Sequence, residues 1–260
     1  MSQSGTTGIR MERVCYSVGG RTILSDFDLT LEPGVNRTIL GVSGVGKTTI
    51  LKLILGLLRP DSGTITIDGA DIGTMVEQEL IRARKHIAIV FQGGALFDSM
   101  TVGENVGYRL FEEGLLSEAE IERIALEKLG FVGLEQALDL YPAELSGGMK
   151  KRVAIARALA ADPDYIFFDE PTTGLDPIGV YNIQQLMLRL QQQGKTTLMV
   201  THDMATAFAV SDRFSFIHNG RLVFEGTRGE MEDSLLPEIA EFFSPTSASL
   251  FKYANRQEIV

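Results

Sequence analysis

Residues 36–49 read NRTILGVSGVGKTT, an apolar run that enters a glycine-rich turn and leaves it on a lysine and two threonines. Gly41, Gly46, Lys47 and Thr48 fall on the spacing G-x-x-x-x-G-K-[ST]. Glycines at these positions let backbone N–H groups point inward at phosphates, the lysine reaches the terminal phosphates, and the threonine hydroxyl coordinates magnesium. Ser43, Gly44 and Thr49 complete the candidate nucleotide-binding loop. Thr48 to Leu58 has helical spacing and stops at Arg59-Pro60-Asp61, so strand, loop and helix follow in the order the motif requires.

Upstream, MERVCYSV and TILSDFDLTL read as strands with turns, and TITIDG at 64–69 alternates in the same way, predicting an antiparallel β subdomain around the loop. Downstream, YIFF (165–168) and TTLMV (196–200) flank a helical stretch from Ile178 to Gln193, the rhythm of a buried parallel sheet. SEAEIERIALEKLGF at 117–131 carries a capping box, Ser117 to Glu120, within a helical insertion of about 93–160. RFSFIHNGRLVFEG predicts a hairpin turning on Asn219-Gly220. The expected fold is α/β: a P-loop nucleoside-triphosphatase core on a parallel sheet, an antiparallel β subdomain and an inserted α-helical subdomain. Residues 1–244 are expected to form one domain, and 245–260, with Phe251 and Tyr253, a tail that is either a subunit-docking segment or disordered.

Three further phrases carry chemistry. Asp169 ends an apolar strand and suits a magnesium shell, while Glu170 beside it suits a base that orients or deprotonates water. LSGGMKKRVAIARAL at 145–159 opens a helix on Ser146, Gly147 and Gly148, so free N–H groups and the positive end of the helix dipole can face a phosphate. His202 follows a second buried strand in VTHD.

With these motifs in order, the chain resembles the ATP-binding cassette ATPases over residues 9 to about 230. The resemblance implies ATP and Mg2+ as ligands, with Glu170, His202 and Gln92 catalytic and Thr48, Gln92 and Asp169 around the metal. It makes Ser146, Gly147, Gly148 and Met149 the signature, acting in trans in a head-to-tail homodimer, and Asp176 the D-loop aspartate. Val18 replaces the aromatic that usually stacks on adenine; Tyr16, two residues earlier, either substitutes for it or sits in the core. FQGGALFDSMTVGENV (91–106), the signature with its Met149, and DEPTTGLDPI are similar to ATPases of the Mla type. That narrower likeness implies phospholipid transport, an integral permease (MlaE-like), an MCE-domain lipid-binding protein (MlaD-like), a STAS-domain protein (MlaB-like), and the cytoplasmic face of the bacterial inner membrane. Leu96, Phe97 and Met100 then suit an apolar groove for the permease or, alternatively, the helical core. An ATPase of another importer or exporter, or a soluble one such as an iron–sulfur assembly factor, shares the same motifs.

The bulk properties narrow the field. A formal net charge of -10 leaves no broad cationic face for nucleic acid, and a single cysteine, Cys15, excludes an internal disulfide. The first 14 residues show no apolar leader core, and the most apolar stretch, Ile50 to Leu58, contains Lys52 and Gly56 and is far shorter than the roughly 20 residues a bilayer span takes.

Overall fold

The computed structural model describes residues 8–243, so the tail expectation for 245–260, with Phe251 and Tyr253, lies outside the described residues. Among the described residues the chain divides into two compact units, the first built from 8–31, 36–73 and 200–243, the second from 32–35 and 74–199.

The first unit begins with β1 (Ile9–Val18) and β2 (Arg21–Leu31), which pair antiparallel with Ile9 opposite Leu31 and Tyr16 opposite Leu24. Alternation turns Ile9, Met11, Val14, Leu24, Phe27, Leu29 and Leu31 inward. Residues 36–40 form β3 (Asn36–Leu40), buried throughout, which runs through the glycine-rich loop into α1 (Lys47–Ile54). This helix is shorter than its periodicity suggests. Gly56 takes φ +61 and Leu57 N–H donates back to the Lys52 carbonyl, a left-handed glycine termination that outweighs the apolar residues beyond it. β4 (Ser62–Ile67) and β5 (Ala70–Asp71) complete a four-stranded sheet ordered β2-β1-β4-β5.

The second unit opens with α2 (Glu77–Ala83) and β6 (Ile87–Val90), then α3 (Val102–Glu113) and α4 (Glu118–Phe131). Thr101 caps α3 and Ser117 caps α4, each in a reciprocal box with the glutamate three residues on. The two helices touch where Gly107 leaves room: a Cβ there would stand 2.4 Å from Ile121 Cγ2. α5 (Gly147–Leu159) packs on both, and β7 (Tyr165–Asp169), α6 (Pro177–Gln192) and β8 (Thr196–Thr201) follow. β6 and β7 pair parallel, Ile87 with Tyr165 through Val90 with Phe168, and β8 lies on the other side of β7. β7 and β8 are wholly buried, which explains their continuous apolar and threonine sequence.

Within β8 the chain re-enters the first unit and continues as α7 (Met204–Val210), β9 (Arg213–His218), β10 (Arg221–Gly226), α8 (Arg228–Glu232) and α9 (Pro237–Phe242). The β9–β10 turn carries Asn219 at φ +49 and Gly220 at φ +73, the two left-handed residues of the expected hairpin. β3 pairs parallel with β9, giving the order β10-β9-β3. Arg37 on β3, fully buried, meets Glu225 at 2.8 Å and donates to Ser215 Oγ, so its charge is compensated inside the sheet layer. Among the described residues no helix is long and apolar enough to cross a membrane.

Candidate functional site

In the first unit the chain must turn sharply as β3 ends. A Cβ on Gly41 would lie 2.7 Å from the Ile217 carbonyl oxygen, and Gly46, at φ +110, would press one 2.9 Å from Ile23 Cγ2. Gly46 is the N-cap of α1 and supplies no side-chain cap, so the first N–H groups of that helix are left for another acceptor. Val42, Ser43 and Gly44 are exposed, Thr48 and Thr49 half-buried. Lys47 is 6% exposed and its Nζ donates to the carbonyls of Gly41 at 2.7 Å and Val42 at 3.2 Å, within its own loop. His202 is exposed just after β8, and Asp203 beside it caps α7 through Thr206 N–H and accepts from Thr206 Oγ1 at 2.6 Å. Tyr16 is half-buried and Val18 is 57% exposed, so neither is a core residue.

The second unit holds the other expected residues. Gln92 is exposed two residues past the end of β6. The loop after it carries Gly94 at φ +75 and Ala95 at φ +49, and Arg157 of α5 donates to both carbonyls, at 2.9 and 2.7 Å. Further along, the buried Asn105 accepts from Phe97 N–H and donates to the carbonyls of Phe97, Met100 and Thr101. Leu96 and Met100 are half-buried and Phe97 is exposed, leaning on Tyr108 with ring centroids 4.7 Å apart, so the three lie at the surface and not in the helical core.

Asp169 closes β7 almost fully buried, and the next residue, Glu170, takes φ +50. A non-glycine residue in that region costs about 1–3 kcal/mol and is held only where its surroundings over-determine it. Thr173 donates from its N–H to the Glu170 carbonyl at 3.3 Å and from Oγ1 to the carboxylate at 3.2 Å. Lys151 of α5 donates to the carbonyls of Pro171 at 2.9 Å and Thr173 at 2.5 Å. Burial lowers the proton affinity of that ammonium, and the negative charge of Glu170 works in the opposite direction. Burial likewise lowers that of Arg157. Asp176 caps α6 through Gly179 N–H, and Ser146 caps α5 through Met149 N–H, with Ser146 and Gly147 exposed and Gly148 and Met149 half-buried.

Helix charge follows the same division. α1, α5, α6 and α7, which open at the motif loops, carry no acidic residue in their first turns, whereas α2, α3, α4, α8 and α9 each do. α6 and α7, however, open on the carboxylates of their caps Asp176 and Asp203, so an anionic ligand is repelled least at α1 and α5. The oxygen donors of Thr48, Gln92 and Asp169 are all hard, the set Mg2+ prefers, so the residue types fit that ion. Lys151, Arg157 and Asn105 escaped the sequence reading. Two of them look like ordinary members of a basic helix, and the only available signal was that Lys151 shares a helix face with the apolar Ile155.

Residues 24–173 match the family described as ABC transporter. The chain is 39% identical over 248 residues to the intermembrane phospholipid transport system ATP-binding protein MlaF of Haemophilus influenzae, covering 94% of each chain. It is also 39% identical over 237 residues to the probable ribonucleotide transport ATP-binding protein mkl of Mycobacterium tuberculosis, covering 91% of this chain and 66% of that one. A solved dimeric ATP-binding cassette in a post-hydrolysis state, bound to ADP and Pi, is similar at 34% identity and a TM-score of 0.78, over 84% of this chain and 98% of that chain.

Proposed function

This chain belongs to the ABC transporter family, and on that premise we propose that it is the ATP-binding and ATP-hydrolysing subunit driving a permease that moves phospholipids between the inner and outer membranes. The observation that carries the substrate class is the 39% identity to a phospholipid-transport ATPase along 94% of both chains. In this reading the glycine-rich loop and Lys47 bind the triphosphate, Glu170 orients and deprotonates the attacking water, and His202 senses the terminal phosphate. Thr48, Asp169 and Gln92 would hold magnesium, which would supply charge neutralisation on the phosphates. Ser146, Gly147, Gly148 and Met149 serve the nucleotide of a second copy, so the working form is a homodimer, and Asp176 acts in the D-loop.

The membrane path belongs to a separate integral permease, MlaE-like, at the cytoplasmic face of the bacterial inner membrane, with an MlaD-like MCE protein and an MlaB-like STAS protein as further partners. The surface residues Leu96, Phe97 and Met100, on a loop shaped by Asn105, suit an apolar contact with that permease. The equal identity to a ribonucleotide-transport relative favours a second reading, a different cargo on the same engine.

Purification of the tagged chain from detergent-solubilised membranes, followed by protein and lipid identification, separates the readings. The proposal expects a multi-span permease and enriched phospholipid. A permease whose ATPase stimulation follows added ribonucleotide supports the second reading, and recovery of the chain with soluble proteins only refutes both.

A further inference from the structure

Non-glycine residues with positive φ are informative here because asparagine and aspartate enter that region at low cost, and Asp26, Asp68, Asp162 and Asn219 are of that kind. Among the described residues the others are Arg13, Ala95 and Glu170. Arg13 sits at an irregularity of the β1 pairing, whereas Ala95 and Glu170 each lie in a loop whose carbonyls accept from a buried or half-buried cation of one helix, α5.

We propose that Lys151 is a positioning residue that pins the turn after Glu170 and thereby aims the catalytic carboxylate. The inference rests on the ATPase reading above. Its ground is the double donation from one ammonium to Pro171 and Thr173, on the far side of the strained residue. Pro171 has no N–H and its carbonyl is buried, so without Lys151 two inward carbonyls lose a charged donor and the strained φ of Glu170 loses a restraint. The two bonds from Thr173 to Glu170, at 3.2 and 3.3 Å, are longer than those from Lys151. Lys151 stands one turn into the helix that Ser146 opens, so an event at the signature is transmitted along a rigid α5 to the base.

ATP turnover, ATP affinity and thermal midpoint of the full chain are measured for wild type, Lys151→Met, Lys151→Arg, Glu170→Gln and the double variant Lys151→Met with Glu170→Gln. A carboxylate displaced by about 1 Å loses on the order of 10²-fold in rate. Lys151→Met is expected to lose about that in kcat with ATP affinity unchanged, Lys151→Arg to recover most of it, and Lys151→Met to add little once Glu170 is glutamine, because the positioned group is gone. Where the methionine variant does not fold, Lys151→Gln makes the same comparison. A kcat within about three-fold of wild type, an equal loss in both backgrounds, or a parallel loss of ATP affinity overturns the proposal. A wild type that turns over no ATP refutes the ATPase reading itself, whereas a wild type stopped by Glu170→Gln but indifferent to Lys151→Met refutes this inference alone.

Discussion

Asn105 shows how much a single amide decides. Its carbonyl oxygen and both N–H donors are used by the loop from Phe97 to Thr101, and it is fully buried. Asn105→Ala removes four hydrogen bonds that hold the part-buried loop, each with a net worth of about 0.5–1.5 kcal/mol. We expect a loss of about 3 kcal/mol and a fall in thermal midpoint of roughly 6–12 °C for a chain of this size, read by calorimetry. A midpoint within 2 °C of wild type contradicts the assignment. Nothing in the local residue pattern hints at this role: a lone asparagine in a helix is an ordinary surface residue until the loop that folds over it is known. Glu170 and Lys47 were legible because their chemistry is tied to short-range spacing. Lys151 was not, since its partners lie 20 and 22 residues away.

At the scale of elements, the same helix carries a second cation to a second strained loop. Arg157 holds Gly94 and Ala95 just after Gln92, with its guanidinium 5.9 Å from the Phe97 ring centroid. Arg157→Leu should free that loop while leaving α5 intact, because the helix is ordered by burial of Val153, Ala154, Ile155, Ala156 and Leu159. Hydrogen exchange measures this: amides of 93–97 should exchange at least about ten-fold faster, with those of α5 unchanged. Uniform acceleration across α5 would mean the arginine supports the helix instead. Strands β1, β2, β4, β7 and β8 and the hairpin of β9 and β10 were readable from alternation, apolar runs and Asn219-Gly220. β6 was not, because IAIV is four residues with no turn signal before it. The end of α1 was misplaced because periodicity runs on past Gly56, whereas backbone geometry stops there.

For the whole molecule, two helix starts in one chain that are proposed to face phosphates imply an assembly of two chains. Neither α1 nor α5 carries an acidic residue in its first turn, and their loops belong to different compact units. A nucleotide that binds the closed pair better than the open chains shifts the equilibrium toward the pair only while its terminal phosphate persists, so a chain that cannot hydrolyse should stay closed. The most direct test is the solution mass of Glu170→Gln by light scattering in saturating ATP and magnesium, compared with ADP. The account predicts twice the mass of one chain in ATP, a single chain in ADP, and ATP turnover reduced by about 10²- to 10⁴-fold, the usual range for loss of a general base. A single-chain mass in ATP, or turnover at the wild-type rate, would contradict it.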